Sequence, residues 1–421
     1  MTPEDMTPQM QELNNRRVER HQRQQSDRVK RRKQKSMVAI GAAIMAAIGM
    51  LGLFFMLRAE RMPEVEETQA TAVRETTPDG ATVIQLVAAG DVNVTDAIVA
   101  SGGTSYDYTD TFLDVAHLLA EGDITVLNFE GNLCGAPYGT TSRSAPQAMA
   151  EALSRAGVDI VQLANSYSIN HGISGLQASI QSVQDAGMEA LGVYADERAY
   201  KAGKGYTIRD VQGVKIAFVA FTKGMDGMTL PQGSEHCVNV LYKDYDSTYQ
   251  EVDYARITQV LEAVEKEKPD LTVAMLHWGS EYNDTIRENQ KKIVNHMQEL
   301  GVDAIIGSHP HYVQKMSYDP DTGFFVAYSL GDFLSDGTRA GTEYSVVLNL
   351  EITKNGNKTK ITGYSYTPIF TVAERGKTIR SVRIAETMAA YDSNYIKRIK
   401  EATYDSMIYA LSRIEARVAG E

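Results

Sequence analysis

Leu271-Thr-Val-Ala-Met-Leu276 runs into His277-Trp278-Gly279-Ser280-Glu281-Tyr282, and Val302-Asp-Ala-Ile-Ile306 runs into Gly307-Ser308-His309-Pro310-His311. Each is a short apolar run ending on glycine and polar residues, the pattern of a strand buried on both faces of a largely parallel sheet. Open α/β sheets carry their sites at the carboxyl ends of such strands. Three of the eight histidines therefore fall where this class of fold places its chemistry.

The pattern extends outward on both sides. Val83–Ala89, Ile124–Leu127, Val158–Leu163 and Val214–Ala220 read as strands, and Phe112–Leu119, Pro146–Ala156, Gly175–Ala186, Tyr254–Lys268 and Arg287–Leu300 as helices between them. Strand and helix in turn predict βαβ units. After His311 the runs Tyr312–Tyr318, Phe324–Leu330, Ser345–Ile352 and Lys360–Thr367 predict a second, mixed or antiparallel sheet, and Tyr391–Val418 a single terminal helix.

The chain has 421 residues, 43% hydrophobic and 23% charged, which suits a large α/β domain and not a disordered chain. A net charge of −12 and a pI near 5.3 argue against a nucleic-acid partner. The charge is uneven. Residues 1–36 hold ten Lys or Arg against five acids, a basic segment of about +5. Next to it, Met37–Leu57 is free of charge and long enough to cross a bilayer at ~1.5 Å per residue. The positive-inside rule puts 1–36 in the cytoplasm and the remainder outside the cell. A cleaved signal peptide fits less well, because the apolar run exceeds its ~7–15-residue core. Residues 58–81 are polar and read as a stalk, 82–390 as the folded domain and 391–421 as the terminal helix.

The predicted strand ends present Asp91 and Asn93, then Asn128 and Glu130, then Asn165, Ser166, Tyr167 and His171, then His277, and finally His309 and His311. Oxygen donors with imidazoles suit a borderline divalent metal such as zinc, manganese or iron. Singly each has a bland reading: Gly90-Asp91 as a turn or cap, the asparagines as partners of loop amides, His277 as a core histidine beside Trp278. His309-Pro310-His311 is the hardest to read that way, because proline fixes the backbone between two imidazoles.

Taken in order, Gly90-Asp91, Asn128-Phe-Glu130, Ala145-Pro146, Leu163-Ala-Asn165, His277-Trp-Gly-Ser-Glu-Tyr282, Gly307-Ser-His-Pro-His311 and Tyr328-Ser-Leu-Gly-Asp-Phe333 resemble the CapA family of poly-γ-glutamate capsule synthesis proteins over about residues 83–335. The resemblance implies a four-layer α/β/β/α sandwich of calcineurin-like metallophosphoesterase type and anchoring outside the cytoplasmic membrane. It also implies work with membrane-bound machinery that makes or exports an anionic γ-linked glutamate polymer. On this resemblance the expected metal ligands are Asp91, Glu130, His277, His309, His311 and Asn165. His277 and His309 are the catalytic candidates, and Asn93, Asn128, Trp278, Glu281, Tyr167 and His171 are expected to line the cleft.

Two departures bear on activity. Ser166 and Tyr167 stand where the family has Asn-His, and Asp332 where it usually has Asn. A serine hydroxyl is a poor ligand, and a phenol titrates near ~10, far from neutrality. Metal binding with little hydrolysis is therefore expected, an active phosphodiesterase or phosphatase and a metal-free scaffold being the alternatives. Outside the cytoplasm the two cysteines, Cys134 and Cys237, are expected to pair, the other reading being two free thiols.

Overall fold

The computed structural model describes residues 80–374, 377–393 and 399–420. The basic segment 1–36, the membrane helix expected over 37–57 and the stalk up to residue 79 lie outside the described residues. Among the described residues no helix is long and apolar enough to cross a membrane.

Two mixed sheets face each other. In the first, β1 (Thr82–Asn93), β2 (Ile124–Glu130), β3 (Ile160–Gln162) and β4 (Glu189–Leu191) run parallel in that order. The second is built on the hairpin of β5 (Tyr206–Val211) with β6 (Val214–Thr222), followed by β7 (Leu271–His277) and β8 (Ala304–Ser308) in parallel. Side chains alternate along each strand, so one strand serves two layers. Ile84, Leu86 and Ala88 point between the sheets and meet Ile216, Phe218, Val273, Met275 and Ile306. Val87 and Ala89 face outward, where Phe112, Val115, Leu119, Leu153, Leu176 and Val183 cover them from α2 (Thr109–Ala120), α3 (Gln147–Arg155) and α4 (Gly172–Asp185). Val219, Ala274 and Leu276 face outward from the second sheet and are covered by Ile257, Val260, Leu261, Ile293 and Met297 of α6 (Tyr254–Lys266) and α7 (Glu288–Glu299). The order is helices, sheet, sheet, helices; the short helices α1 (Asp96–Ser101) and α5 (Glu197–Gly203) complete the set up to α7.

The strands after His311 do not form a sheet of their own. β12 (Tyr344–Asn355), β13 (Lys358–Val372) and β14 (Arg380–Arg383) extend the first sheet, β12 lying antiparallel to β1 from Thr82↔Lys354 to Ala88↔Leu348. β9 (Met316–Tyr318) and β10 (Phe325–Ala327) extend the second, and β11 (Asp332–Leu334) lies parallel to β1. Periodicity reports that a segment is a strand, whereas its partner is set by which edge is open. The expected terminal helix is two helices, α8 (Ile384–Asp392) and α9 (Glu401–Ala419), whose Met388, Tyr404, Met407, Ala410 and Ile414 close the core between the sheets.

One device recurs at the start of four parallel strands. Asp123, Asp159, Asp270 and Asp303 precede β2, β3, β7 and β8. Each donates its own N–H to the carbonyl of a residue on the neighbouring strand, at 2.7–2.9 Å, and its carboxylate accepts that residue's N–H at 2.8 Å. The residues so clamped are Gln85, Thr125, Lys215 and Thr272, and the clamp fixes where each strand begins against its neighbour. Burial raises the Asp303 carboxyl to about 6, and the hydrogen bond from Thr272 lowers it only in part. The folded state therefore holds this proton more tightly than the unfolded chain does. The contribution is complete below about pH 4 and is lost as pH rises through 6, by about 2 kcal/mol once residual solvent is allowed for. Asp303→Asn, which keeps an oxygen for the Thr272 N–H, is expected to flatten that part of the stability profile in urea unfolding between pH 4 and 6.5. Parallel profiles for the two proteins would show that this carboxyl does not carry the effect.

Candidate metal centre

Strand register brings the site together. Asp91 lies opposite Asn128 on β2 and opposite Asp332 on β11, and Asn93 opposite Glu130. In the second sheet His277 lies opposite Thr222 and Ser308. The carboxyl ends of the two sheets then meet: the backbone N–H of His309 donates to Asp91 Oδ2 at 3.0 Å, across 218 residues of chain.

Two glycines permit the approach. A Cβ on Gly90 would lie 1.8 Å from the carbonyl oxygen of Gly331, and one on Gly307 would lie 2.0 Å from that of Tyr328. Gly90 falls where the β1–β2 register shifts, and the next N–H, that of Asp91, donates to Gly331 O at 3.0 Å. His309 (φ +90°) and His311 (φ +60°) adopt left-handed backbone on either side of Pro310. For residues with a Cβ this costs on the order of 1–3 kcal/mol each, a strain that collects at functional sites. Here it turns both imidazoles into one buried space.

Two triads result, each with its ligand atoms within 4.8 Å of one another: Glu130, His277 and His309, and Asp91, His311 and Asp332. All six residues are buried. His277 Nε2 lies 2.9 Å from Glu130 Oε2, yet without the alignment of a hydrogen bond, and His309 Nδ1 also has no partner. Buried donors and acceptors are otherwise paired almost without exception. Two imidazole nitrogens and a carboxylate oxygen that converge without bonding one another have the geometry of a cation site. His277 Nδ1, on the far side of its ring, meets Thr222 Oγ1 at 3.1 Å, which orients the ring.

Asn128 joins the triads, its Nδ2 donating to Asp91 Oδ1 and to Glu130 Oε2, both at 2.7 Å. Electrostatics follow from this crowding. Burial, then Glu130 and Asp332, push Asp91 up to about 8, against the opposing pull of His311 and the Asn128 hydrogen bond. Burial alone would raise Glu130 too, but His277, His311 and Asn128 hold it below the usual carboxylate range. Burial opposes charge on His311, yet Asp332 at 2.7 Å, with Asp91 and Glu130, carries it up to about 10. Burial raises Asp332 in turn, and His311 and Asn93 lower it only in part. Burial, with His277, Lys223 and His311, keeps His309 neutral and ready to ligate.

Of the residues singled out by sequence, Asp91, Glu130, His277, His309 and His311 meet. Asn165 is buried beside Asn128: its Nδ2 donates to Asn128 Oδ1 at 3.5 Å and to Phe129 O at 2.5 Å, and its Oδ1 accepts the Tyr167 N–H at 2.9 Å. Asn93 donates to Leu334 O at 3.2 Å and also holds Asp332. Tyr167 is partly buried under the Arg143 guanidinium, 4.5 Å from its ring, and burial with nearby Glu130 pushes its phenol well up. Glu281 is exposed.

Three expectations fail. Trp278 does not line the cleft: it is fully buried in the helix-covered core, stacked on Tyr328 with Nε1 donating to Tyr328 O at 2.9 Å. His171 does not reach the site, because its Nε2 is held 2.6 Å from Ser142 O at the start of α4. Cys134 and Cys237 are free thiols. Cys134 packs by Ser144 and Gly175, whereas Cys237 is tied to Tyr194 and Ser234, a separate neighbourhood. Asp332 was noted in sequence as a departure from the family motif but not as a ligand, and Lys223, which follows the end of β6, was missed.

The two facing sheets thus carry two buried carboxylate–imidazole triads at their strand ends. Residues 85–337 match the family profile of the bacterial capsule synthesis protein PGA_cap, and the chain belongs to that family. It is 27% identical over 213 residues to the capsule biosynthesis protein CapA of Bacillus anthracis, covering 51% of this chain and 49% of that protein. To the PGA biosynthesis protein CapA of Bacillus subtilis it is 27% identical over 206 residues, 47% of this chain and 48% of the relative. The match thus spans about half the length of these curated relatives. Among solved structures, the calcineurin-like phosphoesterase YfkN of Bacillus subtilis aligns at a TM-score of 0.41 and 14% identity, covering 79% of this chain and 99% of that one. The 5'-nucleotidase of Candida albicans aligns at 0.40 and 12%, covering 79% and 57%.

Proposed function

We propose that this protein is a membrane-anchored, extracytoplasmic member of its family that acts in synthesis or export of an anionic capsular polymer such as poly-γ-glutamate, with a divalent transition metal at the paired triads. Family membership and the charge-free run at 37–57 support the setting. The observation that carries the metal is the unpartnered His277 Nε2 facing Glu130 Oε2 inside a fully buried cluster. When bound, the metal supplies a positive charge against which an anionic oxygen of the substrate can be held. The chain's own groups then divide the work. Glu130, His277, His309 and the Asp91–His311–Asp332 set offer ligands, Thr222 orients His277, and Asn128 spaces the two carboxylates.

The same geometry supports binding over rapid hydrolysis. The Tyr167 phenol is too weak an acid to relay a proton at neutral pH, and His171, the other imidazole of that loop, is tied to Ser142. Elemental analysis of the mildly purified full-length chain is expected to find zinc, manganese or iron near stoichiometry, with slow turnover of an aryl phosphodiester. A chain without metal, and with an unchanged melting temperature in excess zinc or manganese, would refute the centre. Fast turnover would make hydrolysis the leading activity.

A further inference from the structure

Beside the metal centre lies a polar cavity of about 430 Å³ between the loop after His277 and the start of α7. Its wall includes Lys223, Tyr249, Gly279, Ser280, Arg287 and Gln290. Among the described residues neither Lys223 nor Arg287 has a carboxylate within ion-pair distance. Lys223 Nζ donates to Gly279 O at 3.1 Å and sits 4.5 Å from the centre of the Tyr249 ring, and Arg287 reaches only Ser280 Oγ, at 3.4 Å. Gln290 is 1% exposed. Its Oε1 accepts the Arg287 N–H at 2.8 Å, which leaves Nε2 a buried donor without a partner. The first-turn residues Glu288 and Asn289 of α7 lie on the same wall. Acidic groups stand nearby: Glu281 and Asp226 attract Lys223 from a distance, and Glu288 on the rim is paired with Lys291 at 3.4 Å.

We infer that this cavity is a subsite for an oxyanion, a carboxylate or phosphate carried by the polymer or its precursor, held by Lys223 and Arg287 next to the metal centre. The inference rests on the polymer-handling reading. Lys223 Nζ also lies 3.2 Å from His309 Nε2, so one lysine belongs to the walls of both spaces. An extended acidic chain with one group at the centre would set its neighbouring oxyanion against Arg287. Such a site grips charge without reading the rest of the ligand, as suits a repeating polyanion.

The test titrates the metal-loaded full-length chain with a γ-linked glutamate oligomer and, separately, with inorganic phosphate. Arg287→Ala is expected to weaken binding about tenfold, and the double change with Lys223→Met further, while Arg287→Lys recovers part of the loss. Arg287 is exposed, so its variants should melt with the wild type and keep their metal. Saturable binding of the oligomer alone identifies polymer carboxylates as the ligand, and binding of phosphate alone a phosphate-bearing precursor. Equal affinity of Arg287→Ala and wild type for both probes, or no saturable binding of either, overturns the subsite. Metal content is read in the same samples, so a wild type that takes up no metal on loading yet binds the oligomer would sink the metal centre and leave the subsite standing.

Discussion

His277→Ala is expected to strip the divalent metal from the chain, lowering affinity on the order of 100-fold or more, since even outer-shell partners of a metal cost ~10–100-fold. The substitution also removes the Nδ1 contact with Thr222 from a fully buried position, so the melting temperature is read beside the metal content. Glu130→Gln is expected to act in the same direction by removing the charge that faces it. His171→Ala is the matched control: it deletes an imidazole of the same loop cluster that bonds Ser142 and not the triads. Metal titration followed by elemental analysis separates the three. If His277→Ala keeps its metal while His171→Ala loses it, the triad assignment is wrong and the loop imidazole is the ligand.

Gly90→Ala is expected to destabilise the fold strongly, at a cost of about 3 kcal/mol or more, at the upper end of overpacking changes. A methyl group there would overlap the carbonyl of Gly331, and the backbone on each side is fixed by the β1–β11 pairing and by the Asp91-to-Gly331 hydrogen bond. The strands cannot separate without pulling Asp91 away from Asp332, so the variant should also lose metal. Gly213→Ala makes the comparison: Gly213 has positive φ (82°) but open space around its missing Cβ, so it should cost only the local strain. Denaturant unfolding of both variants measures the difference. Comparable stability of Gly90→Ala and wild type would mean that the strand crossing yields more than its hydrogen bonds allow.

Much of the fold was legible in the chain itself. Two-faced apolar runs gave the buried strands because a strand covered on both sides has no polar face, and the helices between them followed from their apolar stripe. The ordered strand-end motifs gave the family and the ligand types, since an imidazole or carboxylate just past a buried strand can only sit at the sheet's carboxyl edge. Other features depend on partners remote in sequence. Periodicity at 344–372 cannot reveal that β12 and β13 close the first sheet, because any open edge satisfies the same hydrogen bonds. Asp332 reaches Asp91 only through the β1–β11 pairing, and Lys223 reaches His309 only because β6 and β8 flank β7. His171 and Trp278 carried the right chemistry in the right stretch, but a carbonyl of Ser142 and the ring of Tyr328 hold them elsewhere. Local sequence determined which groups this protein brings to its strand ends; which of them share a buried space was decided by pairings across tens to hundreds of residues, which only the folded chain can satisfy.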